Sequence, residues 1–417
     1  MTSAAGSALA ALVAELPETP SSTSPQFLNV VDLANRDPTG LLQELPRVES
    51  NPRKALAILS QLLAQDAAQW PVLDLLRCYS AIRKAMPEPV RAGKAPEVTQ
   101  AMDEVVDRIH DSYNCLSDII EDSDRPALIP PEEGKPVTHG ALKRSIQNFR
   151  LPLPKDGKRN PVVAIAVPNG PLLAATCMSV SAHFAMAPIN PAVGPEQFRA
   201  DVEQVQASCI VTTPDTSEKL GLTDSWVGEN GIIVVHVDFS VTQELVLTYP
   251  NGEPLPVHQM PAQPNKGSDI CLMLFTSGTS GKKKIVPLTL HLVVVGAMFV
   301  IDSWGLTPTD ICLNMMPLFH VGGLLRNIFA PMLAKGATVC CAAFDPTLFW
   351  SVVERIGPTW YYASPTMHNL ILSSAPSSYN SRFRLICNAA GGLLPSLALQ
   401  LQDVFSCTVL PSYGMTE

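Results

Sequence analysis

Metal-ligand spacing is missing from this chain: no two of its ten cysteines stand as C-x-x-C, and no histidine pair accompanies them. Most lie inside apolar runs such as Ile311-Cys312-Leu313, the pattern of buried free thiols in a reducing compartment. Charge is scarce as well. Asp, Glu, Lys and Arg make up 16% of the 417 residues, and the net charge is −9. No Lys/Arg block is long enough for a nucleic-acid footprint; Lys282–Lys284 is a local cluster. The longest apolar run, Leu292–Ile301, falls far short of the ~20 residues a membrane span needs. Met1–Leu12 is Ala-rich but lacks the basic segment of a signal peptide. No internal repeat is visible. These absences predict a cytoplasmic protein with no membrane span and no nucleic-acid partner, the peroxisome remaining open.

Proline, by contrast, is plentiful. Its 38 residues are about twice the ~5% share of an average protein. Such frequent breaking favours many short elements over a helical bundle. The 46% apolar content allows a large core, and the length suggests two or three domains. Residues 1–26 read as a short helix and a flexible linker around Pro17–Pro25. Residues 27–121 predict a helical extension of undisclosed role. Leu56, Leu59, Leu62 and Leu63 recur at helical spacing, as do Val72, Leu75, Leu76, Tyr79 and Ile82. Met102, Val105, Val106, Ile109, Tyr113, Leu116 and Ile120 form a third stripe.

After Pro126 short β-rich runs alternate with helical ones. Strands are expected at 162–167, 209–212, 231–237, 269–275, 337–342, 360–363, 385–389 and 408–410. Helices are expected at 171–183, 195–206, 289–303 and 346–356. The alternation predicts an α/β fold of parallel βαβ units with helices on both sheet faces. Ligands of such folds sit in the loops that follow strand carboxyl ends.

The apolar run Ile270–Phe275 leads into Thr276-Ser277-Gly278-Thr279-Ser280-Gly281, then Lys282, Lys283 and Lys284; Thr289 opens a long apolar helix. Gly278 and Gly281 let the backbone bend and offer N–H groups to an anion. The hydroxyls of Thr276, Ser277, Thr279 and Ser280 add donors, and the lysines add positive charge. The set suits a polyphosphate. A Walker loop needs G-x-x-x-x-G-K-[ST]; here the glycines are three apart and Lys282 precedes another Lys. An ordinary surface loop does not account for this hydroxyl density directly after an apolar strand.

The segment resembles the phosphate-binding signature T-S-G-[ST]-[ST]-G-x-P-K-G of the adenylate-forming (AMP-binding) superfamily. That superfamily includes acyl- and aryl-CoA synthetases, luciferases and peptide-synthetase adenylation domains. Lys284 takes the signature Lys; Lys283 replaces its Pro and Ile285 its Gly. Met316-Pro317-Leu318-Phe319-His320-Val321-Gly322-Gly323 resembles the P-L-F-H motif. Ser412-Tyr413-Gly414-Met415-Thr416-Glu417 resembles Y-G-x-T-E. Asn388-Ala389-Ala390-Gly391-Gly392-Leu393 occupies the place of the adenine loop S-G-[AG]-[AS]-P-L, with Gly392 for Pro. Asn388 either contacts adenine or caps a turn. Val162–Gly170, Ala187–Pro191 and Thr138–Leu142, with His139 for a usual Tyr, are similar to earlier family segments. The resemblance spans roughly 125–417.

It implies stacked, doubly wound, mixed or parallel sheets flanked by helices, preceded here by the helical extension. It implies ATP and Mg²⁺ as cofactors and a small carboxylic acid as substrate. The acceptor is a thiol, either CoA or the phosphopantetheine of a carrier protein. Thr276, Ser277, Gly278, Thr279, Ser280, Gly281, Lys282 and Lys284 would hold the β- and γ-phosphates. Ala389, Ala390, Gly391, Gly392, Tyr413 and Gly414 would hold adenine, and Thr416 the α-phosphate. Glu417, with Thr276, would place the metal. Lys284, Thr416, Glu417 and His320 are the catalytic candidates, His320 as pocket wall and gate. His320, Val321, Gly322, Gly323, Ser364 and Ala390 would line the acyl pocket. On alignment of Met298–Trp304, no Asp stands where peptide synthetases hold an α-amino group, so an aryl or fatty acyl acid is expected. The family continues beyond Y-G-x-T-E with a ribose-binding Asp, a hinge and a small lid domain, so 125–417 is expected to be a large domain truncated before its lid and poorly active alone. Two other readings stay open: a loading module of a larger polyketide or peptide synthase, and a non-catalytic scaffold on the same fold.

Overall fold

The computed structural model describes residues 4–65, 70–87, 96–110, 113, 115–155, 160–222, 225–276 and 283–416. The chain divides into two compact units, Met1–Asn114 and Cys115–Glu417.

The first unit is helical over its described residues, with helices Ala4–Ala14, Pro25–Arg36, Pro38–Val48, Pro52–Leu63, Val72–Ala85 and Pro96–His110. The apolar stripes face inward: Leu56, Leu59, Leu62, Leu63, Leu75, Leu76, Tyr79, Ile82, Met102 and Val105 are all buried. The described part of the first 26 residues packs too. Helix Ala4–Ala14 lies against Pro38–Val48, Leu9 and Val13 are buried, and Lys54 Nζ donates to Val13 O at 2.9 Å.

Among its described residues the second unit holds fourteen strands in two sheets. They are β1 (Pro126–Ile129), β2 (Val137–Thr138), β3 (Val162–Ala166), β4 (Ala185–Pro188), β5 (Cys209–Thr212), β6 (Ile233–Phe239) and β7 (Leu245–Thr248). Then follow β8 (Ile270–Thr276), β9 (Lys284–Thr289), β10 (Ile311–Asn314), β11 (Ala337–Cys340), β12 (Trp360–Ala363), β13 (Leu385–Asn388) and β14 (Thr408–Leu410). The first sheet runs β7-β6-β5-β3-β4-β8-β9 and the second β14-β13-β12-β10-β11-β1-β2. Parallel pairing dominates; β6–β7, β8–β9 and β1–β2 are antiparallel. Central strands such as Val-Val-Ala-Ile-Ala (β3) are buried at every residue, as a strand covered on both faces must be.

The proline content has a specific use. Helices open with Pro25, Pro38, Pro52, Pro171, Pro195, Pro214, Pro346, Pro365 and Pro395 in their first turn. There the missing N–H has no intrahelical partner to lose.

Six strands went unexpected: β1, β2, β4, β7, β9 and β10. All but β9 have four residues or fewer, too short for a periodicity. β9 carries Pro287, which an edge strand tolerates. Its presence changes the local picture: the phosphate signature connects two antiparallel strands in a hairpin, and the helix Leu290–Trp304 begins only after β9.

In β12 successive side chains point to opposite faces. Tyr361 joins an aromatic core with Phe349, Trp350, Phe383 and Phe405, where Trp350 stacks on Phe405 at 5.6 Å. Tyr362 faces the other way, towards Trp304 at 6.0 Å. At the amino ends of this sheet, Asp310 accepts two hydrogen bonds from Arg384, each 2.7 Å long.

Candidate active site

Four of the chemistry-bearing segments follow strands of the second sheet at their carboxyl ends. The P-L-F-H segment follows β10, Ser364 follows β12, Asn388–Gly392 extends from β13, and Ser412–Thr416 follows β14. These strands are neighbours, in the order β14-β13-β12-β10, so the sheet itself brings the segments to one edge. Ser412 Oγ donates to Asn388 O and ties two of them together.

The P-L-F-H turn is held by asparagines. Asn314 Oδ1 accepts from Met316 N at 3.0 Å, and its Nδ2 donates to Met316 O at 3.1 Å. Asn169, in the Pro-Asn-Gly turn after β3, accepts from Leu318 N at 3.1 Å and donates to Cys341 O at 2.8 Å. One side chain of the first sheet thereby fixes a loop of the second. The turn then enters a π-helix, Gly322–Phe329. Gly322 is required by approach: a Cβ there would lie 2.8 Å from Tyr362 Cε1. A Cβ on Gly323 would collide with Pro317 O. His320 is exposed and packs edge-on to Phe319, ring centroids 4.9 Å apart. Desolvation lowers its pKa, so it is neutral at pH 7. Its ring has no hydrogen-bond partner among the described residues, which fits a wall better than an oriented base. A cavity of 560 Å³ opens beside Met316, Pro317 and Phe319, lined also by Asn169, Asn190 and Met367.

Asn388 is 1% exposed. Its Nδ2 donates to Gly391 O at 2.6 Å, so it does cap the turn. Its Oδ1 is buried with no partner, an acceptor left over for a ligand. Ala390 holds a left-handed backbone, φ 58°, and Ala390, Gly391 and Gly392 are exposed while Ala389 is buried. Tyr413 is 89% exposed, a free aromatic face. Thr416 is half-buried. Glu417 lies outside the described residues.

The phosphate hairpin is not part of this cluster; it belongs to the edge of the first sheet. Thr276 and Lys284 face each other in register. Ser277, Gly278, Thr279, Ser280, Gly281 and Lys282 lie outside the described residues. Lys284 is exposed without an ion-pair partner among the described residues. Lys283, one of the two departures from the signature, has a partner. Its Nζ lies 2.9 and 2.6 Å from the two carboxylate oxygens of Asp201, which is 2% exposed. Gln204 Nε2 donates to Lys283 O at 2.8 Å. Ile285, the other departure, pairs with Phe275 as an ordinary β-branched strand residue.

Sequence reasoning missed Arg326 and Tyr362. Arg326 lies on the π-helix, half-buried, with its guanidinium 5.0 Å from the Tyr362 ring centroid and Nη1 donating to Tyr362 Oη. Its Nη2 is 2.5 Å from where a Gly414 Cβ would stand. An Arg three residues beyond a Gly-Gly pair in an apolar run was the available signal. Asp302, in the stretch Met298–Trp304, is half-buried on helix Leu290–Trp304. Among the described residues no group of three or more His, Cys, Asp or Glu is placed to hold a metal, and no helix is long and apolar enough to cross a membrane.

The AMP-binding enzyme family model matches residues 120–417. The chain is 29% identical to an oxalate–CoA ligase of Arabidopsis thaliana over 292 residues, 67% of this chain and 56% of the relative. It is 27% identical to a sulfoacetate–CoA ligase of Cupriavidus necator over 297 residues, 70% of this chain and 57% of the relative. It thus spans little more than half the length of these relatives. In fold it is similar to apo MatB from Rhodopseudomonas palustris, with a TM-score of 0.58 at 17% identity, covering 72% of this chain and 58% of that one. With the family model covering most of the chain and its motifs seated on adjacent strand ends, this chain belongs to the AMP-binding enzyme family.

Proposed function

We propose that this chain carries the ATP- and acid-binding half of an acid–thiol ligase. Its first reaction is attack by a substrate carboxylate on the ATP α-phosphorus, which expels pyrophosphate and leaves an acyl-adenylate. The observation that supports this best is the seating of the P-L-F-H, adenine-loop and Y-G-x-T segments on the carboxyl ends of β10, β13 and β14. Two anions must meet, so the site has to cancel charge and position groups.

The described residues suit ATP. The open Tyr413 ring can stack on the base, and the unpartnered Asn388 Oδ1, buried beneath the exposed Ala390–Gly392 turn, would accept from the adenine amino group once that turn gives way. Thr416 would bond the α-phosphate, while Thr276 and Lys284 at the hairpin base would reach the β- and γ-phosphates. Glu417, with Thr276, would take Mg²⁺, which neutralises phosphate charge. His320 and the glycines after it would wall the acyl group. The acyl group would pass to a thiol, CoA or a carrier phosphopantetheine; relatives named as CoA ligases favour CoA. The described free, mostly buried cysteines suit a reducing compartment, the cytoplasm or the peroxisomal matrix.

Titration calorimetry with α,β-methylene-ATP, which keeps all three phosphates and does not hydrolyse at the α-phosphorus, tests the reading. One-to-one binding, weakened about tenfold or more by Lys284→Ala, is the expected result. Absence of binding would sink it and leave the scaffold reading.

A further inference from the structure

We propose that Arg326 clamps a second anionic group on the acid, so that the pocket selects dicarboxylic or comparably dianionic acids. This rests on the reading above that the loops after β10 to β14 bind an acyl-adenylate.

Arg326 stands beside Gly414 of the Y-G-x-T segment and over Tyr362, against which Gly322 packs. Gly414 leaves the space that Arg326 Nη2 borders. Into that space projects a guanidinium with five donors. Its Nη1 donates to Tyr362 Oη, and its face lies over the Tyr362 ring. Tyr362 is itself 4% exposed, so this side of the guanidinium is dry. No carboxylate pairs with it among the described residues.

Half-buried Arg150 and Lys155 donate to carbonyl and amide oxygens, whereas two other cations of the unit are closed by buried carboxylates. Arg384 is held bidentately by Asp310, and Lys283 by Asp201. A desolvated guanidinium with unused donors is matched by a planar anion taken bidentately. An apolar acyl end would instead leave those donors unpaired, and a site built around polar groups rejects ligands that cannot pair them. The geometry therefore replaces the expected aryl or fatty acyl acid by one with a second acidic group.

The test compares two sulfamoyl-adenosines of matched chain length, succinyl and butanoyl, by titration calorimetry on this chain. Wild type should bind the succinyl compound more tightly. Arg326→Met should weaken it about ten- to a hundredfold and leave the butanoyl compound within about twofold. Arg326→Lys, which keeps the charge but loses the fork, should retain part of the discrimination and serves where Arg326→Met melts early. A wild-type preference for the butanoyl compound overturns the proposal. So does an equal loss for both compounds, which would make Arg326 a prop for Tyr362 or a partner of Glu417. Failure of both compounds to bind wild type overturns the acyl-adenylate reading itself, whereas butanoyl binding without a succinyl preference overturns this inference alone.

Discussion

The two ends of the second sheet are built on opposite terms. At the amino ends, Asp310 receives two bonds from Arg384 and further ones from Thr307 and Thr359; every strong polar group there is matched. At the carboxyl ends, Asn388 Oδ1 has no partner, Tyr413 stands open and Arg326 lacks an anion among the described residues. The same strands carry both ends, so the difference is not one of packing quality. It separates an end where the protein closes its own polar groups from an end whose open groups would, on the proposed reading, meet a ligand. The hairpin of the first sheet shares both characters: Lys283 is closed by Asp201, and Lys284 beside it is left open.

The largest expected break in this comparison comes from Asp310→Ala. It strands Arg384, itself two-fifths exposed, and two threonines, and urea unfolding should show a loss of about 2–3 kcal/mol. Affinity for an adenylate mimic should stay within about twofold in the folded protein, because no ligand group is touched.

Acid should act next. Burial lowers His183 and His368 to about 4, against ~6.5 in the unfolded chain. The unfolded chain therefore binds more protons between these values. Stability is full above pH ~6.5 and is lost as pH falls towards 4, by about 2 kcal/mol for each histidine at pH 5. His368→Gln should flatten the measured slope by about half. Although His368 follows β12, it is buried against Tyr361 and belongs energetically with the closed end.

Lys283→Met should cost about 1–2 kcal/mol in thermal or urea unfolding, since it leaves Asp201 buried with reduced pairing while the lysine was itself a third exposed. It should also weaken binding of α,β-methylene-ATP through a looser hairpin base. The smallest effect is expected from Asn388→Ala: about a fivefold loss of adenine-containing ligand, by calorimetry, from the loss of one hydrogen bond.

Much of the site was legible before any coordinates, because its motifs stand in fixed order and each follows a strand of continuous apolar residues. The expected 209–212, 360–363 and 408–410 coincide with β5, β12 and β14. What was not legible depends on contacts between distant residues. Lys283 looked like a departure from a signature until Asp201, 82 positions away, appeared beneath it. Asn169 gave a turn signal but no hint that it would hold Leu318. Arg326 had no periodic mark, since its place is set by a π-helix that two crowded glycines permit. The hairpin was missed because Pro287 breaks the alternation of β9.

Hydrogen exchange with and without an acyl-sulfamoyl-adenosine measures the central claim most directly. Protection is predicted to rise at 316–323, 388–392 and 412–416, with the amino ends around Asp310 and Arg384 unchanged. Protection confined to the amino ends or to the helical unit 1–114, or none anywhere at saturating ligand, would contradict it.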